Sequence, residues 1–301
     1  MNIQLRQTRA FCQLGRRSNQ EDTCYPNVDV IPATQRFFVV CDGVGGSESG
    51  EVASQTVCQA MADAMSEFNT NNDFTNDDFR SVLDAAYNAL DRKATPHNRE
   101  MATTMTFVCF HGRGCTMAHI GDSRIYHFRK GKGILYRSDD HSLVNAMVHN
   151  GMLTPEKAVN NPQKNVITRY MEAVDADQNR CMATVMRTQD ILANDYFLLC
   201  TDGVYNIISD EEMMGILFNQ EVKDEKKVEA IAKKCKDSDD NNTAILISVA
   251  AVEPDTVSSD SLQGSEGTKK LPFERKGTEE IESIQQPKGN GLVNWVKRIF
   301  N

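Results

Sequence analysis

No C-x-x-C pair occurs in this sequence, and its nine cysteines are an odd count. Neither a zinc knuckle nor a closed disulfide framework is therefore expected, and the thiols point to a reducing compartment, the cytoplasm. No run of roughly 18 apolar residues is present, so no membrane-spanning helix is expected. The opening residues, MNIQLRQTRAFCQLGRR, lack the apolar stretch of a secretory signal. Positive charge is also scarce. With 33 Lys and Arg against 42 Asp and Glu, the net charge is -9, which leaves no whole-molecule field to hold nucleic acid. No serine or cysteine stands in a nucleophile arrangement, so a covalent enzyme intermediate is not indicated.

What the chain does have is acid at the ends of apolar strands. Phe37 to Cys41 is a continuous apolar run that ends in Asp42, followed by Gly43, Gly45 and Gly46. It reads as a buried strand delivering a carboxylate to a sheet edge beside backbone that can approach a ligand closely. A carboxylate with a neighbouring carbonyl suits a hard, oxygen-seeking cation. A helix follows, with Ser47 or Ser49 as its cap and Ala53, Val57, Ala60, Met61, Ala64 and Phe68 on its apolar face. A lone Asp-Gly is most often a turn. Here the pattern recurs in AHIGD (118 to 122), in YFLLCTDG (196 to 203) and where Asp239 to Asn242 leads into AILISVAAV. If these strands share an edge, Asp42, Asp122, Asp202 and Asp240 converge, and carboxylates that close repel unless cations neutralise them.

The 301 residues, 40% hydrophobic and 25% charged, allow a large core. Residues 4 to 14 read as a first strand, ahead of GRRSNQED. That segment is either a solvated turn or an extended edge that brings Arg17 near Asp22 with its guanidinium free for phosphate. Phe79 to Ala94 reads as an amphipathic helix. Met105 to Phe110 with Cys115 to Ile120, and Ile125 to Phe128 with Ile134 to Tyr136, read as hairpins. Ser142 to Asn150 is a helix stopped at Gly151, a short one opens at Thr154-Pro155, and residues 151 to 180 have weak periodicity. Cys41, Cys109 and Cys200 lie inside strand runs and read as small buried hydrophobes.

Seven segments occur in an order that resembles the metal-dependent protein serine/threonine phosphatases of type 2C, in their bacterial form. They are RSNQED (17 to 22), DGVGG (42 to 46), ATT (102 to 104), GDSRIY (121 to 126), DDHSLV (139 to 144), CTDGVYN (200 to 206) and DNNT (240 to 243). The resemblance covers residues 4 to 250. It implies an α+β fold, a four-layer α-β-β-α sandwich of two antiparallel sheets between helices, with residues 151 to 180 as a flap beside the site. It also implies hydrolysis of phosphoserine and phosphothreonine in phosphorylated proteins by a metal-activated water, reversing a Ser/Thr kinase, with two Mn²⁺ or Mg²⁺ ions. By resemblance, Asp42 bridges both ions, and Asp202 and Asp240 complete one of them. The Gly43 carbonyl and waters complete the other, with Glu21 and Asp22 holding those waters. Asp122 matches a third, weaker metal position, Arg17 matches the phosphate clamp, and Thr104 and Asn241 are supporting residues. One departure stands out. Several members carry a histidine two residues after the bridging aspartate; here that position is Val44, so the general acid is unassigned and His141 is expected to be a structural hydrogen bonder.

Two other readings share these residues: a catalytically dead domain that binds partners, and a hydrolase of small phosphoesters. A dead domain is expected to have lost a core carboxylate, and none is missing. After the catalytic domain (1 to 252), residues 253 to 290 are rich in Ser, Gly, Pro, Lys and Glu and read as a disordered linker. Residues 291 to 301, GLVNWVKRIFN, are amphipathic at helical spacing. They suit docking on the chain's own domain, a protein partner's groove or a membrane surface.

Overall fold

The computed structural model describes residues 1–44, 49–98, 100–173 and 180–254, with the backbone of 279–280. The glycine-rich turn after Val44, most of the 253 to 290 segment and residues 291 to 301 therefore lie outside the described residues. In chain order the first elements are β1 (Asn2–Leu5), β2 (Thr8–Gln13), β3 (Asp22–Tyr25), β4 (Val30–Ile31), β5 (Phe37–Asp42), α1 (Gly50–Met65) and α2 (Asn76–Lys93). There follow β6 (Ala102–Thr103), β7 (Met105–His111), β8 (Gly114–Ile120), β9 (Arg124–Arg129), β10 (Gly133–Arg137), α3 (Leu143–His149), α4 (Pro155–Val159) and β11 (Met171–Glu172). The last are β12 (Thr184–Thr188), β13 (Tyr196–Cys200), α5 (Asp202–Tyr205), α6 (Asp210–Leu217), α7 (Asp224–Cys235), β14 (Asn242–Glu253) and β15 (Glu279–Glu280).

All strand pairings are antiparallel. One sheet runs β10-β9-β13-β14-β2-β4 with β1 on the far end of β14; the other runs β15-β12-β8-β7-β5-β3. The layering follows from strand alternation. Along β5, Val39 and Cys41 enter a core shared with α1 and α2, while Phe38 and Val40 enter a core between the sheets. Along β13, Phe197 and Leu199 face that inner core, and Leu198 and Cys200 face α6 and α7. Three stacked cores make four layers, and strands buried on both faces explain why their sequences are apolar throughout. The expected four-layer sandwich is what the chain adopts. Cys41, Cys109 and Cys200 are fully buried, as read.

Local chemistry sets several boundaries differently from expectation. The strand expected over residues 4 to 14 is two strands, because β1 pairs with the distal part of β14 and β2 with its proximal part. The second helix starts three residues early, at Asn76, where Thr75 and Asp78 form a reciprocal capping box. Ser49 precedes the first helix in a left-handed conformation, and its side chain makes no capping bond. The helix at Leu143 is capped by the Ser142 side chain and stops before Gly151, whose φ is +68°. Within the expected flap, β11 pairs with β6, and Thr168 N–H donates to the His141 carbonyl at 2.7 Å, which ties its base to the domain.

Candidate metal centre

Antiparallel order brings one end of each sheet together. The C-terminal ends of β5, β8 and β13 and the N-terminal ends of β3 and β14 deliver Asp42, Asp122, Asp202, Asp22 and Asp240. Asp22 and Asp42 are direct cross-strand partners. Their backbones are fixed tightly. The Asp42 N–H donates to Thr104 Oγ1 at 3.0 Å, and its carbonyl accepts from Thr103 Oγ1 at 2.9 Å and Thr104 N at 2.8 Å. Thr104 Oγ1 is in turn 2.8 Å from Ser123 Oγ, beside Asp122. Gly121 there has φ +104°, and a Cβ on it would press into the Thr104 side chain.

Asn241 gathers the segment that carries Arg17 and Glu21. Its amide nitrogen donates to the carbonyls of Leu14 (2.8 Å) and Asn19 (3.0 Å), and its Oδ1 accepts from Glu21 N at 2.8 Å. Glu21 then accepts Gly43 N–H through its own carbonyl at 3.1 Å. Gly43 is packed against the start of α1: a Cβ there would lie 2.5 Å from the Gly50 carbonyl carbon.

Burial and mutual repulsion raise the pKa of four of these carboxyls. Burial first, then repulsion from Asp22, Asp202, Asp122 and Asp240, pushes Asp42 well above the usual range. Burial pushes Asp22 to about 7 and Asp122 to about 8, with Asp202 adding repulsion to each. Asp202 rises to about 6, from burial and then Asp240. Asp22 is nearly inaccessible; Oδ2 accepts from Thr201 Oγ1 at 2.9 Å, while buried Oδ1 has no protein partner among the described residues. No described residue hydrogen-bonds the Asp42 carboxylate. These are hard oxygen donors with unspent lone pairs, and they fit divalent cations that prefer carboxylate, carbonyl and water ligands. Among the described residues, no three acidic, histidine or cysteine side chains already enclose a single ion position. The donor set and its convergence carry the fit, rather than a closed cage.

Arg17 reaches the same edge, but its guanidinium is not free as expected. Nη2 donates to Asp240 Oδ2 at 2.7 Å, and the other oxygen of Asp240 accepts from Asn241 N at 2.8 Å. With 46% of its side chain exposed, the rest of the Arg17 fork remains open to solvent. His141 is engaged through both ring nitrogens. Its Nδ1 accepts from Gly121 N–H at 3.1 Å, its Nε2 lies 2.9 Å from Thr184 Oγ1, and it stacks on His119. Burial, then His119, lowers its pKa to about 2, so it is neutral and carries no proton to donate at Nδ1. Thr201, Ser123 and Thr103 were not picked out from the sequence. The available signal was the hydroxyl residue beside Asp202, beside Asp122 and within ATT.

Residues 15–234 match the family described as protein phosphatase 2C. The chain is 33% identical over 212 residues to the serine/threonine protein phosphatase PstP of Mycobacterium tuberculosis, covering 68% of this chain and 37% of that protein. The chain thus spans well under half the length of PstP. It is 30% identical over 239 residues to the protein phosphatase PhpP of Streptococcus pneumoniae, covering 78% of this chain and 93% of PhpP. The crystal structure of the PstP catalytic domain in complex with two manganese ions superposes with a TM-score of 0.64 at 26% identity, over 83% of this chain and all of that one. With the matched family spanning most of the chain, this protein belongs to the protein phosphatase 2C family.

Proposed function

We propose that the chain is a metal-dependent phosphoprotein phosphatase that hydrolyses phosphoserine and phosphothreonine, reversing a Ser/Thr kinase. The observation that carries this reading is the convergence of five aspartates from both sheets, with buried Asp22 Oδ1 left without a hydrogen-bond partner among the described residues. Asp42, Asp202 and Asp240 would hold two ions with the Gly43 carbonyl; Asp22 and Glu21 would order water beside them, and Asp122 would serve a third, weaker ion. Either Mn²⁺ or Mg²⁺ suits these donors. When bound, the ions supply a water of lowered pKa and offset charge on the phosphoryl oxygens.

The remaining work falls to the chain's own groups. Arg17 stays charged, its pKa raised chiefly by the Asp240 hydrogen bond, and its planar fork clamps the substrate phosphate. Asn241 and Glu21 fix the loop from which Arg17 projects. The acid for the leaving oxygen is left unassigned; engagement of both ring nitrogens of His141 supports a structural role for it. Glu253 still belongs to β14 and Glu279–Glu280 pair with β12, so we assign residues 254 to 290 as the connection from the catalytic domain, and 291 to 301 as a segment acting outside catalysis in the cytoplasm. Its deletion then leaves turnover intact and changes one localisation or one pull-down.

The test is hydrolysis of a phosphothreonine peptide titrated with Mn²⁺ and Mg²⁺, alongside Asp42→Ala and Asp202→Ala. Metal-dependent turnover lost in both variants supports the reading. A well-folded protein that binds two ions without turnover overturns it in favour of a binding module.

A further inference from the structure

At the end of the sheets opposite the aspartates lies a cavity of about 540 Å³, lined by five cationic side chains and two carboxylates. We propose that it is a docking site for an acidic segment of the phosphoprotein substrate, an inference that rests on the phosphatase reading above.

Lys227 Nζ is neutralised by Asp224 Oδ1 at 3.3 Å and also donates to the Tyr196 hydroxyl at 2.7 Å. Arg9 lies 3.8 Å from Glu225. Arg6, by contrast, spends its hydrogen bonds on neutral acceptors, the Val249 carbonyl (3.0 Å) and Asn194 Oδ1 (2.6 Å), and enters no ion pair with the described residues. Lys130 and Lys223 are exposed and enter no ion pair with the described residues. Three positive charges thus remain in a concavity of a chain whose net charge is -9. Such a patch is where an anionic partner is drawn.

The placement of the charges selects an extended ligand. Arg6 comes from the β1–β2 connection, Lys130 from the β9–β10 turn and Lys223 from the loop between α6 and α7. Cations on three separate segments suit acidic side chains spread along a peptide better than one compact anion. Phe218 and Val222, both half-buried, add apolar surface for a neighbouring side chain. The distance to the metal centre is set by α7, which begins at the cavity and ends at Cys235, shortly before Asp240. Its length is about 18 Å at the helical rise. An acidic cluster roughly six to ten extended residues from the phosphorylated residue can therefore occupy the cavity while the phosphate is at the aspartates.

The experiment uses the full chain with Mn²⁺ and two phosphothreonine peptides with a neutral spacer of about eight residues. One ends in a glutamate-rich segment containing a leucine; in the other, glutamines replace the glutamates. The acidic peptide is expected to show a kcat/KM about five- to tenfold higher at low salt, through KM, and the advantage shrinks as salt is added. In the double variant Lys130→Glu, Lys223→Glu the two peptides become equivalent, while p-nitrophenyl phosphate turnover is unchanged. Equivalence in the unaltered chain, or an advantage that survives the double substitution, overturns the proposal. Fluorescence anisotropy with a labelled, unphosphorylated acidic peptide reads docking without turnover, so loss of catalysis and loss of docking are told apart. Binding of ATP at these lysines without binding of the peptide would reassign the cavity to a small anion and also overturn it.

Discussion

Replacing Asn241 with alanine removes three hydrogen bonds at once: two donated to the Leu14 and Asn19 carbonyls and one accepted from Glu21 N. Asn241 is only 3% exposed, so the abandoned groups are poorly placed to recover water. At about 1 kcal/mol net per bond, the expected loss is about 3 kcal/mol. For a domain of this size each kcal/mol lowers Tm by about 2–4 °C, so a shift of about 6–12 °C is expected. The functional cost goes further than stability, because the three bonds fix the segment bearing Arg17 and Glu21. kcat/KM on a phosphothreonine peptide is expected to fall about 10- to 100-fold, the range typical of losing an outer support of a metal site. Urea denaturation gives the stability change and phosphate release the activity. A stability change below about 0.5 kcal/mol, within the range of an ordinary surface substitution, would refute the assignment of Asn241 as the organiser of the loop. So would full activity at a temperature where the variant is folded.

Three further outcomes are expected. Asp195 is fully buried, and although burial raises its pKa, hydrogen bonds from Arg129, His127 and Leu192 outweigh it and lower the value overall. Its folded pKa therefore lies below the unfolded one, and its stabilisation is present above about pH 4 and lost as pH falls through the folded value. Asp195→Asn should flatten the acid limb of a urea-midpoint profile, and an unchanged limb would rule this out. His141→Gln is expected to reduce stability but leave the shape of the kcat pH profile intact, since a ring with its pKa near 2 is neutral across the working range; a lost limb would return His141 to the proton-transfer step. Finally, Mn²⁺ at about 100 times its Kd is expected to add about 2.7 kcal/mol to unfolding for each ion bound, measured by calorimetry. Asp42→Ala should show little of that gain; an equal gain would place the ions elsewhere.

Much of this was legible in the sequence because one physical cause governs both pattern and place. Strands buried on both faces must be apolar throughout, so Phe37 to Cys41 and Tyr196 to Cys200 declare themselves, and the aspartates that end them mark the edge. Capping chemistry likewise marked Ser142 and Gly151. The four layers were not legible from periodicity, since which of Val39 or Val40 faces which core depends on pairings far away in the chain. The resemblance supplied that arrangement. Nor could spacing show that Arg17 pairs with Asp240, or that Thr201 reaches Asp22 across 179 positions. Those contacts exist only once the two sheets are stacked.

That stacking also explains why the site sits at a seam. Asp22 belongs to the edge strand of one sheet, yet its Oδ2 is held by Thr201 of the other, and Thr201 Oγ1 in turn accepts Thr243 N–H at 3.0 Å. The Asn241 amide spans the same gap to Glu21. Gly203 closes it sterically: a Cβ there would lie 2.0 Å from the Asn241 carbonyl oxygen, so the turn after Asp202 can approach β14 only as glycine. Carboxylates brought together from one sheet alone could relax apart by local twisting. Coming from two sheets locked by the inner core of Phe38, Phe110 and Phe197, they cannot separate without parting the layers, and their mutual repulsion is retained for a cation to relieve.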